Sequence, residues 1–210
     1  MKFHVGVARA LTLFSCVVGV ISPPAIASAQ ALHGEALENA LRQGGYILLM
    51  RHASSPRDVP TRQTANADNV NLERQLDEAG RTTAMAMGNA IRELNIPIGE
   101  VLSSPTYRAL ETVRLAQLGN PKTFAELGDN GQSMQGASGT QALWLQKKVT
   151  QFPKGTNTII VTHLPNIAAA FAQSAAGLAD GEALVFGSDA KGGASLVARI
   201  KIEEWPAMRR

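Results

Sequence analysis

The sequence predicts a three-layer α/β fold built on a mostly parallel sheet. Three observations lead there. Short apolar runs alternate with helix-patterned segments along the whole chain. Two of those runs, YILLM at 46–50 and NTIIVT at 157–162, show no polar alternation, as expected of strands covered on both faces. The segments between them carry helix start and stop signals, such as Asp77 ahead of one helix and Pro165 at the start of another.

The elements follow in order. Residues 31–43 place Leu32, Leu37, Ala40 and Leu41 at helical spacing and stop before Gly44, so an N-terminal helix is expected over the sheet. The strand at 46–50 comes next. Residues 53–75 are polar, contain Pro56 and Pro60, and lack apolar periodicity. A loop of that length in a compact domain is either a functional rim or a mobile segment. Residues 77–94 read as a helix capped by Asp77, with Ala84, Met87, Ile91 and Leu94 on its apolar face. EVLS at 100–103 is a second strand, and Ser104-Pro105 supplies a capping hydroxyl and a first-turn proline for the helix that continues through 107–117. A short strand at 123–125, a glycine-rich connection at 128–139 and a helix at 140–151 precede the strand at 157–162. An alanine-rich helix at 165–176 and strands at 183–186 and 194–202 complete the domain. The last strand alternates enough to lie at an edge, and 203–210 reads as a frayed tail.

Length and composition bound the function. With 210 residues, 45% of them hydrophobic and 18% charged, the chain is an ordinary globular protein of one domain, 30–210, behind a leader. Residues 1–29 have Lys2 and Arg9 near the start, an apolar core, the Pro23-Pro24 break and Ala27-Ser28-Ala29 as a small-x-small site. That is the layout of a secretory signal peptide cleaved near Ala29, and it predicts a periplasmic or secreted protein. Loss of Lys2 and Arg9 leaves 18 Lys and Arg against 17 Asp and Glu, so no basic excess points to nucleic acid. Cys16 is the only cysteine and would leave with the leader. The mature chain then has no disulfide, thiol nucleophile or zinc thiolate, and no membrane attachment is expected after cleavage.

Chemistry gathers at three strand ends. The first strand ends in Arg51-His52, the second leads into SSPTYR with Arg108, and the NTIIVT strand ends in His163. In a parallel sheet these ends converge on the ligand crevice. Two guanidiniums, two imidazoles and two helix amino termini there suit a phosphoryl dianion.

These pieces resemble the histidine phosphatases, the phosphoglycerate mutase-like superfamily. LLMRHASS is similar to the family's RHG strand end, LSSPTYRALET to its SSPxxRAxxT helix start, and VTH to the strand bearing its second histidine. LDEAGRTTAMAMGNAI is similar to its LxxxGxxQAxxLGxxL helix, and the resemblance runs from about residue 46 to 170. It implies a three-layer α/β/α sandwich whose sheet is mixed, with one antiparallel strand toward the end. It also implies His52 as the nucleophile that becomes phosphohistidine, with Arg51, Arg108 and His163 binding the phosphoryl oxygens and Ser55 adding a hydroxyl donor. Neither metal nor cofactor is implied, because the cationic side chains do that work.

Ala53 departs from the family's RHG glycine, and slight narrowing rather than inactivation is expected. The general acid is the open position. Glu126, in TFAELGDNG, matches the family's carboxylate best; Asp129 and Glu182 are alternatives. Arg57 reads as a solvated loop charge or, as the alternative, a substrate-reading residue, and Asn166 as a cap or a pocket residue. The expected function is an exported phosphatase of small phosphate monoesters, such as cell-envelope sugar phosphates. The alternatives are a non-catalytic phosphate-binding protein of the same fold or a phosphoryl-transferring mutase. The leader argues against the mutase, and on the same ground against a protein-phosphohistidine phosphatase.

Overall fold

The computed structural model describes residues 1–2, 31–129 and 137–209. The expected leader thus lies outside the described residues apart from Met1 and Lys2, as does the middle of the glycine-rich connection. In chain order the elements are α1 (Gly34–Gln43), β1 (Ile47–Arg51), α2 (Glu78–Glu93), β2 (Ile98–Ser103), α3 (Tyr107–Leu115) and β3 (Lys122–Thr123). A one-turn 3-10 helix, Ala125–Leu127, follows. Then come α4 (Gly139–Lys148), β4 (Asn157–Thr162), α5 (Leu164–Ala170), β5 (Ala183–Ser188), β6 (Ala194–Ile200) and a closing 3-10 helix, Ile202–Arg209.

The sheet runs β3-β2-β4-β1-β5-β6. β1, β2, β3 and β4 pair in parallel, while β5 runs antiparallel to both β1 and β6. This is the mixed, mostly parallel sheet with a single reversed strand that the resemblance implies. β1 and β4 are central and buried, which explains their unbroken apolar runs. Side chains alternate between two cores. Leu48, Met50, Ile159 and Val161 face α1, α2, α3 and the closing 3-10 helix. Ile47, Leu49, Ile160 and Leu184 face α4 and α5. Helices cover both faces, so the architecture is the expected three-layer sandwich.

Several boundaries differ from the sequence reading, three of them with a clear physical cause. Ser104 does not cap α3; the backbone stays extended there, its N–H bonded to Val161 O at 2.9 Å, and Thr106 is the N-cap. The alanine-rich helix stops at Ala170, where Phe171 leaves helical geometry and turns its ring onto Phe186, with centroids 4.9 Å apart. The C-terminal stretch is no frayed tail. Its 3-10 helix sinks Trp205 to 1% exposure in the core beneath α2. Burial of one large aromatic holds a segment whose local propensity would not.

Asp77 does cap α2, accepting the Gly80 N–H at 2.7 Å. Gly80 itself is required by close approach, because a Cβ there would collide with the Ser54 carbonyl oxygen. The amino end of α2 is thereby seated against the chain that leaves β1, next to the strand ends.

Candidate active site

Strand register builds the site. Arg51 pairs with Thr162 across β1 and β4, so His52 and His163 emerge side by side from adjacent parallel strands. The His52 N–H continues the ladder to Thr162 O at 3.0 Å. The imidazole centroids lie 5.2 Å apart. β2 pairs with β4 on the other side, Ser103 opposite Val161, and delivers α3 with Arg108 in its first turn. His52, His163 and Arg108 are 4%, 2% and 5% exposed, so their charges and lone pairs act on one another with little water between.

The hydrogen bonds define both tautomers. His52 Nδ1 donates to its neighbour's carbonyl, Ala53 O, at 2.8 Å. Its Nε2 therefore carries the lone pair, and Arg108 Nε donates to it at 3.1 Å. His163 is the mirror case. Its Nδ1 accepts from an Arg108 terminal nitrogen at 3.1 Å, so Nε2 holds the proton and donates to Ser104 Oγ at 2.8 Å. Ser104 thus serves the site rather than the helix cap.

Both rings are held neutral. Burial, then the neighbouring His163 and the Arg108 and Arg51 charges, keep His52 well below the usual histidine range, against a smaller opposing pull from the Ala53 carbonyl. Burial and the charges of Arg108, Arg74 and Arg51 push His163 down to about 2.

Ala53 tolerates its methyl because the chain does not adopt the left-handed region there; among the described non-glycine residues only Leu72, Asn95 and Gln117 do. Its N–H is fixed by Thr112 Oγ1 at 3.1 Å, which in turn donates to Arg108 O at 2.9 Å. Strand end and arginine helix are tied by one hydroxyl.

These groups line a cavity of about 670 Å³ together with Arg51, Ser55, Arg57, Arg74, Asp129, Leu164, Pro165 and Asp180. Arg51 pairs with Asp180 at 2.5 Å, and its Nε is buried with no hydrogen-bond partner among the described residues. Ser55 lines the cavity, but its hydroxyl donates to Gln75 O at 2.8 Å. Arg57, for which the sequence left a loop charge and a substrate-reading role open, lines the cavity. Arg74 was missed, since it lies in an aperiodic polar stretch. Its guanidinium donates to Pro56 O at 2.7 Å and Ser55 O at 3.1 Å and holds the rim loop against the site.

The three carboxylate candidates separate clearly. Glu126 sits half-buried in the one-turn 3-10 helix and is not among the residues lining the cavity. Glu182 is buried away from the cavity between Arg199 Nε at 2.7 Å and the Ala179 N–H at 2.8 Å. Burial alone would raise its carboxyl, but those two donors hold it low. Asp129 lines the cavity, is 8% exposed and pairs with Arg108, so the structure brings Asp129 to the site instead of Glu126. The chain ahead of it is clamped. Asn166 Nδ2 donates to Glu126 O at 3.2 Å and Gly128 O at 3.0 Å, Gln141 Nε2 to Gly128 O at 3.0 Å, and Thr162 Oγ1 to Leu127 O at 2.7 Å. Asn166 is therefore a support for the site.

The rim loop is ordered by its own bonds. Glu111, 2% exposed, accepts from Asn66 Nδ2 at 2.8 Å and from the Leu76 N–H at 2.9 Å. Glu73 accepts the Tyr107 N–H at 2.9 Å, so the loop carboxylate sits on the first turn of α3.

Among the described residues, no group of three His, Cys, Asp or Glu side chains is placed to hold a metal ion. No described helix is long and apolar enough to cross a membrane.

No curated protein matches the chain in sequence. Among solved structures it is similar to the protein histidine phosphatase SixA complexed with tungstate, at 19% identity and a TM-score of 0.54, over 76% of this chain and 98% of that one. It is also similar to SixA from Agrobacterium tumefaciens, at 18% identity and a TM-score of 0.52, over 75% of this chain and 98% of that one. At such identities the likeness is one of fold. Residues 47–129, the segment carrying Arg51, His52, Arg108 and Asp129, match the histidine phosphatase superfamily (branch 1), and the domain around them has that superfamily's phosphoglycerate mutase-like fold.

Proposed function

We propose that the protein is a phosphatase that hydrolyses small phosphate monoesters through a phosphohistidine on His52. One observation carries the reading: His52 keeps its proton on Nδ1 against Ala53 O, and the Nε2 lone pair faces the cavity cations. Burial and neighbouring charge hold that nitrogen unprotonated at neutral pH, which a nucleophile requires. The buried Nε of Arg51, without a partner among the described residues, is a donor suited to a phosphoryl oxygen.

In this reading Nε2 attacks phosphorus as the ester P–O bond breaks, and Asp129, released from Arg108, relays the proton of the incoming phosphate monoanion to the leaving oxygen. The ring gains positive charge, which the Ala53 carbonyl stabilises through Nδ1–H. Arg51, Arg108 and the fixed ring of His163 surround the equatorial oxygens, where charge spreads in the transition state. Water then attacks the phosphohistidine, the P–N bond breaks, and the Asp129 carboxylate takes the water's proton. Arg108 holds both histidine lone pairs in the ligand-free protein, so an entering phosphoryl group exchanges those contacts for its own.

Export belongs to the same proposal, supported by Lys2, Arg9 and Ala27-Ser28-Ala29, and it points to phosphate esters of the cell envelope such as sugar phosphates. Mass spectrometry of envelope fractions should find a chain beginning near Gln30. The catalytic test is hydrolysis of phenyl phosphate by the purified protein in chelator-treated buffer, followed by rapid quench. An acid-labile, base-stable phosphoryl adduct on His52 is expected, lost in His52→Ala together with turnover. Ordinary turnover by His52→Ala would refute the mechanism.

A further inference from the structure

Because β5 runs antiparallel to β1, it begins where β1 ends, with Ala183 opposite Met50. A parallel strand in that place would begin at the opposite end of the sheet. The turn that leads into β5, residues 178–182, therefore lies against the site. It is bonded there through the backbone: the Arg51 N–H donates to Glu182 O at 3.2 Å, and the Gly181 N–H to His52 O at 3.0 Å. The turn is also fixed from behind. Buried Glu182 accepts the Ala179 N–H at 2.8 Å and Arg199 Nε at 2.7 Å, and Arg199 donates again to Ala176 O at 3.0 Å. Gly181 takes a left-handed φ of +71°, and a Cβ there would collide with the Ile202 side chain. Glu182, one of the carboxylates considered for the general acid, is thus the anchor of this turn.

What the turn holds is Arg51. One terminal nitrogen of the guanidinium pairs with Asp180 at 2.5 Å, and the other donates to Leu178 O at 3.4 Å. With both terminal nitrogens on the turn, Nε is the donor left over, and it has no partner among the described residues. Asp180 lines the cavity, where its charge opposes that of a phosphoryl dianion. Against that repulsion it fixes a long side chain whose rotamer freedom would otherwise be lost at every binding event.

We infer that Asp180 is a positioning residue for phosphoryl transfer: it fixes Arg51, and through Arg51 the alignment of the phosphoryl group against His52. This rests on the reaction proposed above. Loss of the carboxylate should act on the chemical step and not weaken binding. In the ground state a phosphoryl dianion can gather a loosened Arg51 by charge alone, and a negative neighbour is gone. The transition state needs the guanidinium in register, where a misplacement of about 1 Å lowers the rate on the order of 10²-fold.

Steady-state and rapid-quench kinetics on phenyl phosphate test this with Asp180→Asn, Arg51→Gln and the double variant. Asp180→Asn should lower kcat and the rate of adduct formation on His52 by about ten- to a hundredfold, with KM unchanged or lower. In the Arg51→Gln background the same substitution should change the adduct rate by less than about twofold, because the group it positions is gone. Alkyl and nitrophenyl phosphates should be slowed equally by Asp180→Asn, since a positioning residue delivers no proton. An unchanged kcat, a raised KM, an equal loss in both backgrounds or a loss confined to the alkyl ester would each overturn the assignment. The double variant also separates Arg51 from Arg74, on which the Asp180 charge acts as well. If any of these results came with a wild-type adduct on His52, the catalytic reading would stand without the clamp. Absence of the adduct in the wild type would overturn both.

Discussion

Acid should destabilise this protein earlier than its carboxylates alone would require, because its two site histidines are locked neutral. Both start from an ordinary value of 6.5; His52 lies well below it in the folded chain and His163 at about 2. A base whose folded pKa is depressed stabilises the fold above its unfolded pKa and loses that stability as pH falls below it. Between pH 6 and 5 the unfolded chain binds nearly a full proton at His163 and the folded chain binds none there, and His52 adds to the imbalance in the same direction. Each unmatched proton changes stability by about 1.4 kcal/mol per pH unit, so His163 alone removes about 1.2 kcal/mol across that single unit. A loss of that size is an appreciable fraction of the ~5–15 kcal/mol that holds a typical domain. The depressed carboxyl of Glu182 titrates at lower pH and leaves this window to the histidines. Urea unfolding at pH 7, 6 and 5 measures the slope directly. His163→Gln keeps a donor for Ser104 and an acceptor for Arg108 but cannot titrate, and its slope should fall below that of the wild type by about 1.2 kcal/mol per pH unit. A wild-type slope near zero, or a slope unaffected by His163→Gln, would show that the rings are not held neutral and would remove the basis for a free Nε2.

Further outcomes can be checked independently. Asp129→Asn should slow an alkyl phosphate by roughly 10²–10⁴ and nitrophenyl phosphate far less, because only the poor leaving group needs the proton. Glu126→Gln in the same comparison should leave the ratio of the two substrates unchanged, and a selective loss there would return the acid role to Glu126. Arg108→Lys keeps the charge but loses the fork that spans both imidazoles, and a fall in kcat of about 10²-fold or more is expected with phenyl phosphate. Trp205→Ala should cost about 3–5 kcal/mol in urea unfolding, whereas a cost below about 1 kcal/mol would mean that the closing 3-10 helix is dispensable.

The strands that matter most were legible because their surroundings are extreme. NTIIVT is a strand from Asn157 to Thr162 in the structure as in the sequence, since a central parallel strand admits no polar face to blur its ends. Helix ends were less legible, for local signals compete with tertiary demands. Ser104-Pro105 has the composition of a helix start, yet the Ser104 hydroxyl is claimed by His163 and its N–H by β4. The closing segment offered only Trp205 as a sign of burial, and no periodicity reveals a 3-10 turn packed end-on beneath α2.

At the site, the distinction lies between residues placed by strand register and residues placed by loops. His52 and His163 follow β1 and β4 directly, and pairing of those strands in register leaves them no other arrangement. Arg108 sits one residue into α3, near enough to β2 for the same logic to hold. Asp129 and Glu126 lie three residues apart on a segment with one turn of 3-10 helix, where spacing does not decide which carboxylate turns inward. What decides it is a set of buried donors distant in sequence: Thr162, Asn166 and Gln141 take the carbonyls of Leu127, Glu126 and Gly128 and so rotate Asp129 toward Arg108. Arg74 belongs to the same class. Its position depends on the Ser55 and Pro56 carbonyls nearly twenty residues away, and neither charge pattern nor hydropathy records such a contact. The buried donors that aim Asp129 are thus as much a part of the site as the two histidines, although only the histidines declare themselves in the sequence.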